Sequence, residues 1–298
     1  MARIAGKILK KFWFPAAVWI VLIGSLKTDT VMAAVSNDAS RTAATSESFY
    51  DLGMQYGRSG DWSKAIDNLK KALDKDPKNI EALVNLSVAY SESKDFQSAV
   101  TTANKAIALD SKKPGAYTAL GYAYQGMRDD TKAVQAFRQG ISVDPKNTDL
   151  HLALGNLLTQ SGKIDDAIRA YEQAIQKDPK AVFAYCNLAY IYESRKNNAK
   201  AIEYLTQAAE INPQDYVVWY DLGEIYSKQG DLAKSIGYFQ KSHGLNPKFY
   251  KACLSLAIAY EKKRDLEKAA EFYVKSLSLT EDPRLKEAIL RQITRTVE

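Results

Sequence analysis

Residues 182–215 read VFAYCNLAYIYESRKNNAKAIEYLTQAAEINPQD, and residues 216–249 read YVVWYDLGEIYSKQGDLAKSIGYFQKSHGLNPKF. Laid one over the other, the two 34-residue blocks match at spaced positions. Leu188 falls over Leu222, Ala189 over Gly223 and Tyr192 over Tyr226. Ala201 falls over Ser235, Ala208 over Ser242, and Asn212-Pro213 over Asn246-Pro247. Self-similarity at a fixed period of this length is the signature of a repeat architecture, in which each unit buries its apolar face against the next.

The period runs well beyond these two blocks. Pro77, Pro145, Pro179, Pro213 and Pro247 lie on one 34-residue grid, with Ser111 and Glu281 in the two vacant slots. The residue before each proline is Asp76, Asp144, Asp178, Asn212 or Asn246. Such pairs start turns, and the proline pushes its predecessor out of the helical region. Counting from Ser46 gives seven gapless repeats: 46–79, 80–113, 114–147, 148–181, 182–215, 216–249 and 250–283.

Position 7 of the repeat is always leucine, from Leu52 and Leu86 through to Leu256. Position 8 is always small: Gly53, Ser87, Gly121, Gly155, Ala189, Gly223, Ala257. Position 11 is tyrosine except for Leu158 in the fourth repeat, and positions 20 and 27 hold only alanine, serine or glycine. Positions 4, 7, 8 and 11 share one helical face, as do 20, 24, 27 and 28. Small residues at 8, 20 and 27 let two helices approach closely while large ones at 7, 11 and 24 fill the space between them. Gly60, Gly162 or Gly230 at position 15 marks a turn, and Asp61, Asp95, Asp129, Asp231 and Asp265 at position 16 are N-caps for a second helix. Each unit therefore reads as a helix–turn–helix hairpin.

The pattern resembles the tetratricopeptide repeat family over residues 46–283. The aromatic expected at position 4 varies (Phe49, Leu83, Tyr117, His151, Tyr185, Trp219, Cys253), and the second and seventh repeats lack the proline. The resemblance implies an all-α, right-handed solenoid of paired helices with a concave groove for peptides or proteins. Residues 284–298 follow the last repeat, with Leu285, Ala288, Ile289, Ile293 and Val297 as an apolar stripe suited to a capping helix.

Ahead of the repeats, residues 1–34 have the layout of an export segment. Met1–Lys11 is basic, Phe12–Leu26 is fifteen uncharged and mostly apolar residues, and Val31-Met32-Ala33 offers a small-residue cleavage site. As a helix the apolar stretch spans about 22 Å, short of the ~30 Å hydrocarbon core. A cleaved signal peptide and an uncleaved N-terminal anchor are the two leading readings, a buried core helix the third. The first two place the repeats outside the cytoplasm, because the lysines precede the apolar stretch. Residues 35–45, small and polar, read as a tether.

The net charge of +6 loses force as evidence for a nucleic-acid partner once it is located. Arg3, Lys7, Lys10, Lys11 and Lys27 against Asp29 leave +4 in residues 1–34 and only +2 in the rest. A nucleic-acid binder keeps its basic surface in the folded part. Membrane contact is expected only through residues 1–34. Two cysteines rule out a disulfide scaffold. Cys186 and Cys253 lie two repeats apart, beyond disulfide reach for helices packed ~8–10 Å apart. His151 and His243 occupy packing positions 4 and 28 and are too far apart to share a metal. No phosphate loop or nucleophile triad can be assembled, so no catalytic residue, cofactor or metal is expected.

That leaves the first-helix face. In the family, positions 2, 5, 9, 12 and 13 tend to line the groove. Position 5 supplies Tyr50, Val84, Thr118, Leu152, Cys186, Tyr220 and Leu254; position 9 supplies Met54, Val88, Tyr122, Asn156, Tyr190, Glu224 and Ile258. The candidate groove is thus Tyr50, Met54, Val84, Val88, Tyr122, Leu152, Asn156, Tyr190, Tyr220, Leu254 and Ile258. The competing reading of the same residues is packing between successive first helices. Members that clamp an acidic C-terminus are excluded. Asn85 and Asn187 sit at position 6, but Tyr50, Gly115 and Ala119, or Val217 and Asp221, replace the clamp's basic residues. The expected function is a non-enzymatic scaffold, exported or tethered, whose groove holds a partner protein or peptide. In the alternative, another copy of the chain fills it and the protein assembles with itself.

Overall fold

The computed structural model describes residues 45–297; the expected export segment, and the tether up to residue 44, lie outside them. The described residues form fifteen helices and no strand. Seven hairpins follow the expected grid: α1 (Ser46–Arg58) with α2 (Trp62–Lys75), α3 (Ile80–Glu92) with α4 (Phe96–Leu109), and α5 (Pro114–Gly126) with α6 (Asp130–Val143). They continue as α7 (Thr148–Gln160) with α8 (Ile164–Lys177), α9 (Val182–Ser194) with α10 (Asn198–Ile211), α11 (Tyr216–Lys228) with α12 (Leu232–Leu245), and α13 (Tyr250–Lys262) with α14 (Leu266–Leu279). The last helix is α15 (Pro283–Val297). Helices α1–α4 make one compact unit and α5–α15 a second. Within each unit every second helix packs on its own first helix and, where another helix of that unit follows it, on that helix as well. The fold is an all-α helical-repeat solenoid, as the period requires.

The helix starts follow from the caps. Asp61, Asp95, Asp129, Asp231 and Asp265 each accept a hydrogen bond from the backbone N–H three residues on, and Asn197 does the same in the fifth repeat. Each satisfies an otherwise orphaned donor of the first turn. The residue before the cap is left-handed in all seven repeats. Gly60, Gly162 and Gly230 adopt φ of +73° to +82°, and Lys94, Arg128, Lys196 and Arg264 adopt φ of +60° to +67°. At the other end, Asp76, Asp144, Asp178, Asn212 and Asn246 accept from the backbone N–H two residues on, closing a turn around the proline.

The core runs along the hairpins. Position-8 glycines lie flat against the large position-24 residue of their own repeat. A Cβ on Gly155 would sit 2.6 Å from Tyr171, and one on Gly223 would sit 2.5 Å from Phe239. Three position-4 side chains of different chemistry share one device. His151 Nε2 lies 3.3 Å from the Pro145 carbonyl, Tyr185 Oη donates to Pro179 O at 3.2 Å, and Trp219 Nε1 donates to Pro213 O at 2.9 Å. Each ties a first helix to the preceding turn. The terminal helix covers the last repeat with Leu285, Ile289 and Ile293. Ala288 is exposed, contrary to the expected stripe, because it lies a third of a turn from Ile289. Among the described residues no helix is long and apolar enough to cross a membrane.

Candidate functional site

First-helix residues at positions 5 and 9 divide by exposure. In the α1–α4 unit, Tyr50, Met54 and Val88 are half-buried, while Val84 is 6% exposed and offers a partner almost nothing. Tyr50 Oη accepts a hydrogen bond from Asn85 Nδ2 at 3.0 Å.

In the α5–α15 unit, Tyr122 and Leu152 pack against the cluster around Phe137 and Leu150. The Tyr122 ring meets Phe137 edge-on at 5.4 Å. Burial, with Asp149 adding to it, pushes its phenol up to about 12. Tyr122 is therefore largely a packing residue.

Further along, the face opens. Tyr190, Tyr220 and Leu254 are half-buried, and Ile258 is 39% exposed. Tyr220 is held by Phe239 and Phe249, at 5.5 and 5.2 Å between ring centroids. Two neighbours that positions 5 and 9 do not include belong here as well. Phe183 is 55% and Val217 41% exposed, both at position 2 of the repeat. A phenylalanine at a first-helix position that elsewhere holds Glu47, Glu81 or Asp149 was the available signal.

A polar ladder crosses the same face. Asn156, exposed, accepts from Tyr171 Oη at 2.7 Å and from Asn187 Nδ2 at 3.1 Å. Ser255 donates to Glu224 at 3.0 Å, and Gln125 donates to Gln160 at 2.7 Å. Lys228 pairs with Glu193. Apart from the Tyr171–Asn156 bond inside the fourth repeat, the rungs join consecutive first helices, so Asn85 and Asn187, which mark the acid-clamping subfamily by position, are spent on neighbours within this chain. The clamp is absent in geometry as well as in charge.

The thiols are free and quiet. Cys186 is half-buried, and its thiol is pushed up to about 12 by burial, with Asp221 and Asp215 adding to it. Cys253 is buried with its sulfur 3.4 Å from His243 Nδ1. A thiol held protonated at neutral pH is a poor nucleophile. Among the described residues no group of histidine, cysteine and carboxylate side chains is placed to hold a metal ion.

Comparison with known proteins agrees with the hairpin geometry. Family models described as tetratricopeptide repeat match residues 58–123, 114–147, 152–216, 204–237 and 252–287. A tetratricopeptide repeat protein from Parabacteroides merdae is 17% identical with a TM-score of 0.55, over 85% of this chain and 99% of that one. The PilF protein of Pseudomonas aeruginosa is 17% identical with a TM-score of 0.59, over 72% and 97%. A structure of MamA is 29% identical with a TM-score of 0.47, over 55% and 96%. At 17% identity the first two likenesses speak to the fold alone. No curated protein matches the chain in sequence.

Proposed function

The chain is a tetratricopeptide repeat protein, and from that we propose that it holds a protein or peptide partner along the first helices of its α5–α15 unit. Proteins built from these repeats are generally non-enzymatic scaffolds that bind other proteins, and none of the matched models describes a catalytic family.

The observation that carries the placement is the row Phe183, Val217 and Ile258 on α9, α11 and α13, exposed by 55%, 41% and 39%. Phe183 and Val217 share position 2 of successive first helices and Ile258 lies at position 9, about two turns along the same face of the next one, with half-buried Tyr190 on α9 and Tyr220 on α11. Tyrosine supplies area and a hydroxyl at small entropic cost, which suits it to an interface. Glu224, at position 9 of α11, stands among them bonded to Ser255, and the Glu193–Lys228 pair lies further along the same helices.

Site-specific photocrosslinking in the native cell tests this placement. A photoreactive residue at 217 should capture a partner. The same residue at 274, where exposed Val274 lies on a second helix, should not. Capture from 274 alone would move the site to the other face.

We also propose that the repeats lie outside the cytoplasm, on the strength of the basic-then-apolar layout of residues 1–34. Sequencing the mature N-terminus after fractionation tests this. A start at Ala34 or Val35 supports cleavage, and an intact Met1 in the membrane fraction supports an anchor. An intact chain in the soluble cytoplasm contradicts both.

A further inference from the structure

The fourth repeat breaks the pattern on the opposite side of the hairpins. In the fifth, sixth and seventh repeats a position-11 tyrosine is covered twice. Tyr192 stacks on Tyr204 at 5.6 Å, Tyr226 on Tyr238 at 5.4 Å and Tyr260 on Phe272 at 5.8 Å. Lys200, Lys234 and Lys268, at position 19, sit over the same tyrosines at 4.7, 4.8 and 5.3 Å. Lys234 and Lys268 also pair with the capping aspartates Asp231 and Asp265.

In the fourth repeat every member of this cluster is different. Leu158 replaces the tyrosine, Ala170 the stacking ring, Lys163 the capping acid and Asp166 the lysine. The charges are inverted and two rings are gone. Beside Leu158, an open notch of about 540 Å³ lies between α6 and α8. Leu158 and Val134 line it together with Arg138, Lys163 and Asp166.

The cations here are uncommitted. Among the described residues neither the Arg138 guanidinium nor the Lys163 ammonium makes a hydrogen bond or ion pair. Asp166 is engaged by Arg169. The corresponding place in the α1–α4 unit is satisfied internally, with Lys70 5.6 Å from the centre of the Tyr90 ring. Arg138, the counterpart of Lys70, faces a leucine and a lysine instead of a ring and an acid.

We propose that this notch is a second interaction site, separate from the first-helix strip, and that it takes an acidic peptide segment carrying one aromatic side chain. The partner's ring enters the notch against Val134 and Leu158, the latter standing where the other repeats hold a tyrosine. Its carboxylates meet Arg138 and Lys163, whose guanidinium and ammonium offer charge-assisted hydrogen bonds. Burying a ring supplies the area, and the paired charges select acidic over basic segments.

The test uses the full chain and two capped pentapeptides, Glu-Glu-Trp-Glu-Glu and Glu-Glu-Ala-Glu-Glu, titrated by NMR at low salt. The tryptophan peptide should saturate with shifts confined to α6 and α8, and the alanine peptide should bind at least tenfold more weakly. Leu158→Tyr restores the residue of the other six repeats, so it should fold, and it should weaken binding at least tenfold by filling the notch. Arg138→Glu, an exposed change, should do the same by repulsion. Ile258→Lys on the first-helix strip should leave this binding unchanged, which separates failure here from failure of the strip. Absence of saturable binding to 1 mM, equal binding of the two peptides, or unchanged binding in both Leu158→Tyr and Arg138→Glu would overturn the proposal.

Discussion

Gly121 lies so close to the Phe137 ring that a Cβ on it would sit 2.3 Å from the ring edge. No real contact is that short, and the ring is fully buried with nowhere to turn. The same relation joins Gly53 to Leu69 at 2.7 Å. Gly121→Ala should therefore destabilise the protein by about 1–3 kcal/mol through overpacking. Combining it with Phe137→Leu should recover part of that loss, because the pair shares one space. Urea unfolding of the three variants checks this. Additive losses would mean that the two residues do not compete for volume.

The seven left-handed turn residues give a prediction of opposite sign. Lys94, Arg128, Lys196 and Arg264 hold a conformation that β-carbon sterics disfavour by about 1–2 kcal/mol. Glycine at those positions removes the clash but loosens the unfolded chain, so each substitution should stabilise by about 0.5–1 kcal/mol net. Gly60→Ala, in open space with φ +77°, should destabilise. Thermal melting of Lys196→Gly against Gly60→Ala reads both signs.

Both histidines should make stability fall between neutral and mildly acidic pH. Burial holds His151 and His243 below the ordinary value of 6.5; the Pro145 carbonyl opposes this for the first, and Lys275 reinforces it for the second. A histidine whose folded pKa is lowered binds fewer protons folded than unfolded. Its contribution is complete above 6.5 and is lost as pH falls through the folded value. His151→Tyr, which matches Tyr185 at the same position, combined with His243→Ile should flatten the pH dependence between 7 and 5 relative to the wild type. An equally steep slope in the double variant would place its origin outside both histidines; Asp149 and Glu92, raised by burial, act in the opposite sense, because an acid raised in the folded state gains stability as pH falls.

The terminal helix should matter for the same reason that repeats need neighbours. Ile289 is fully covered against the last repeat, with Leu285 and Ile293 beside it. Ending the chain at Asp282 exposes the surface they cover, and burial of one isoleucine alone contributes about 1.5–3 kcal/mol. The truncated protein should melt lower and aggregate sooner. An unchanged melting curve would make α15 dispensable.

Much of this was legible in the residues. A strict period fixes what meets what inside a hairpin, so the leucines from Leu86 onward, the small position-8 residues and the aspartate caps fell where the spacing put them; Leu52, in the first repeat with no hairpin described before it, is 40% exposed instead. The reach of a side chain into the next repeat was harder to read. His151, Tyr185 and Trp219 look unrelated as letters, yet all three reach a turn carbonyl. Lys94 and Arg128 gave no sign of a left-handed backbone, because the turn imposes it on whatever residue stands there. The first-helix face was read least well. Whether Val84 or Phe183 is exposed depends on how closely consecutive first helices approach, and neither position in the repeat decides that by itself.

We propose that a partner sits on α9, α11 and α13. The direct measurement pairs Phe183→Ser with Ile258→Lys, both outside the buried core, and compares proximity labelling in the native cell and melting with the wild type. Loss of the main labelled partner by tenfold or more, with melting shifted by less than a few degrees, is the expected result. An unchanged set of partners in a folded double variant would contradict the account.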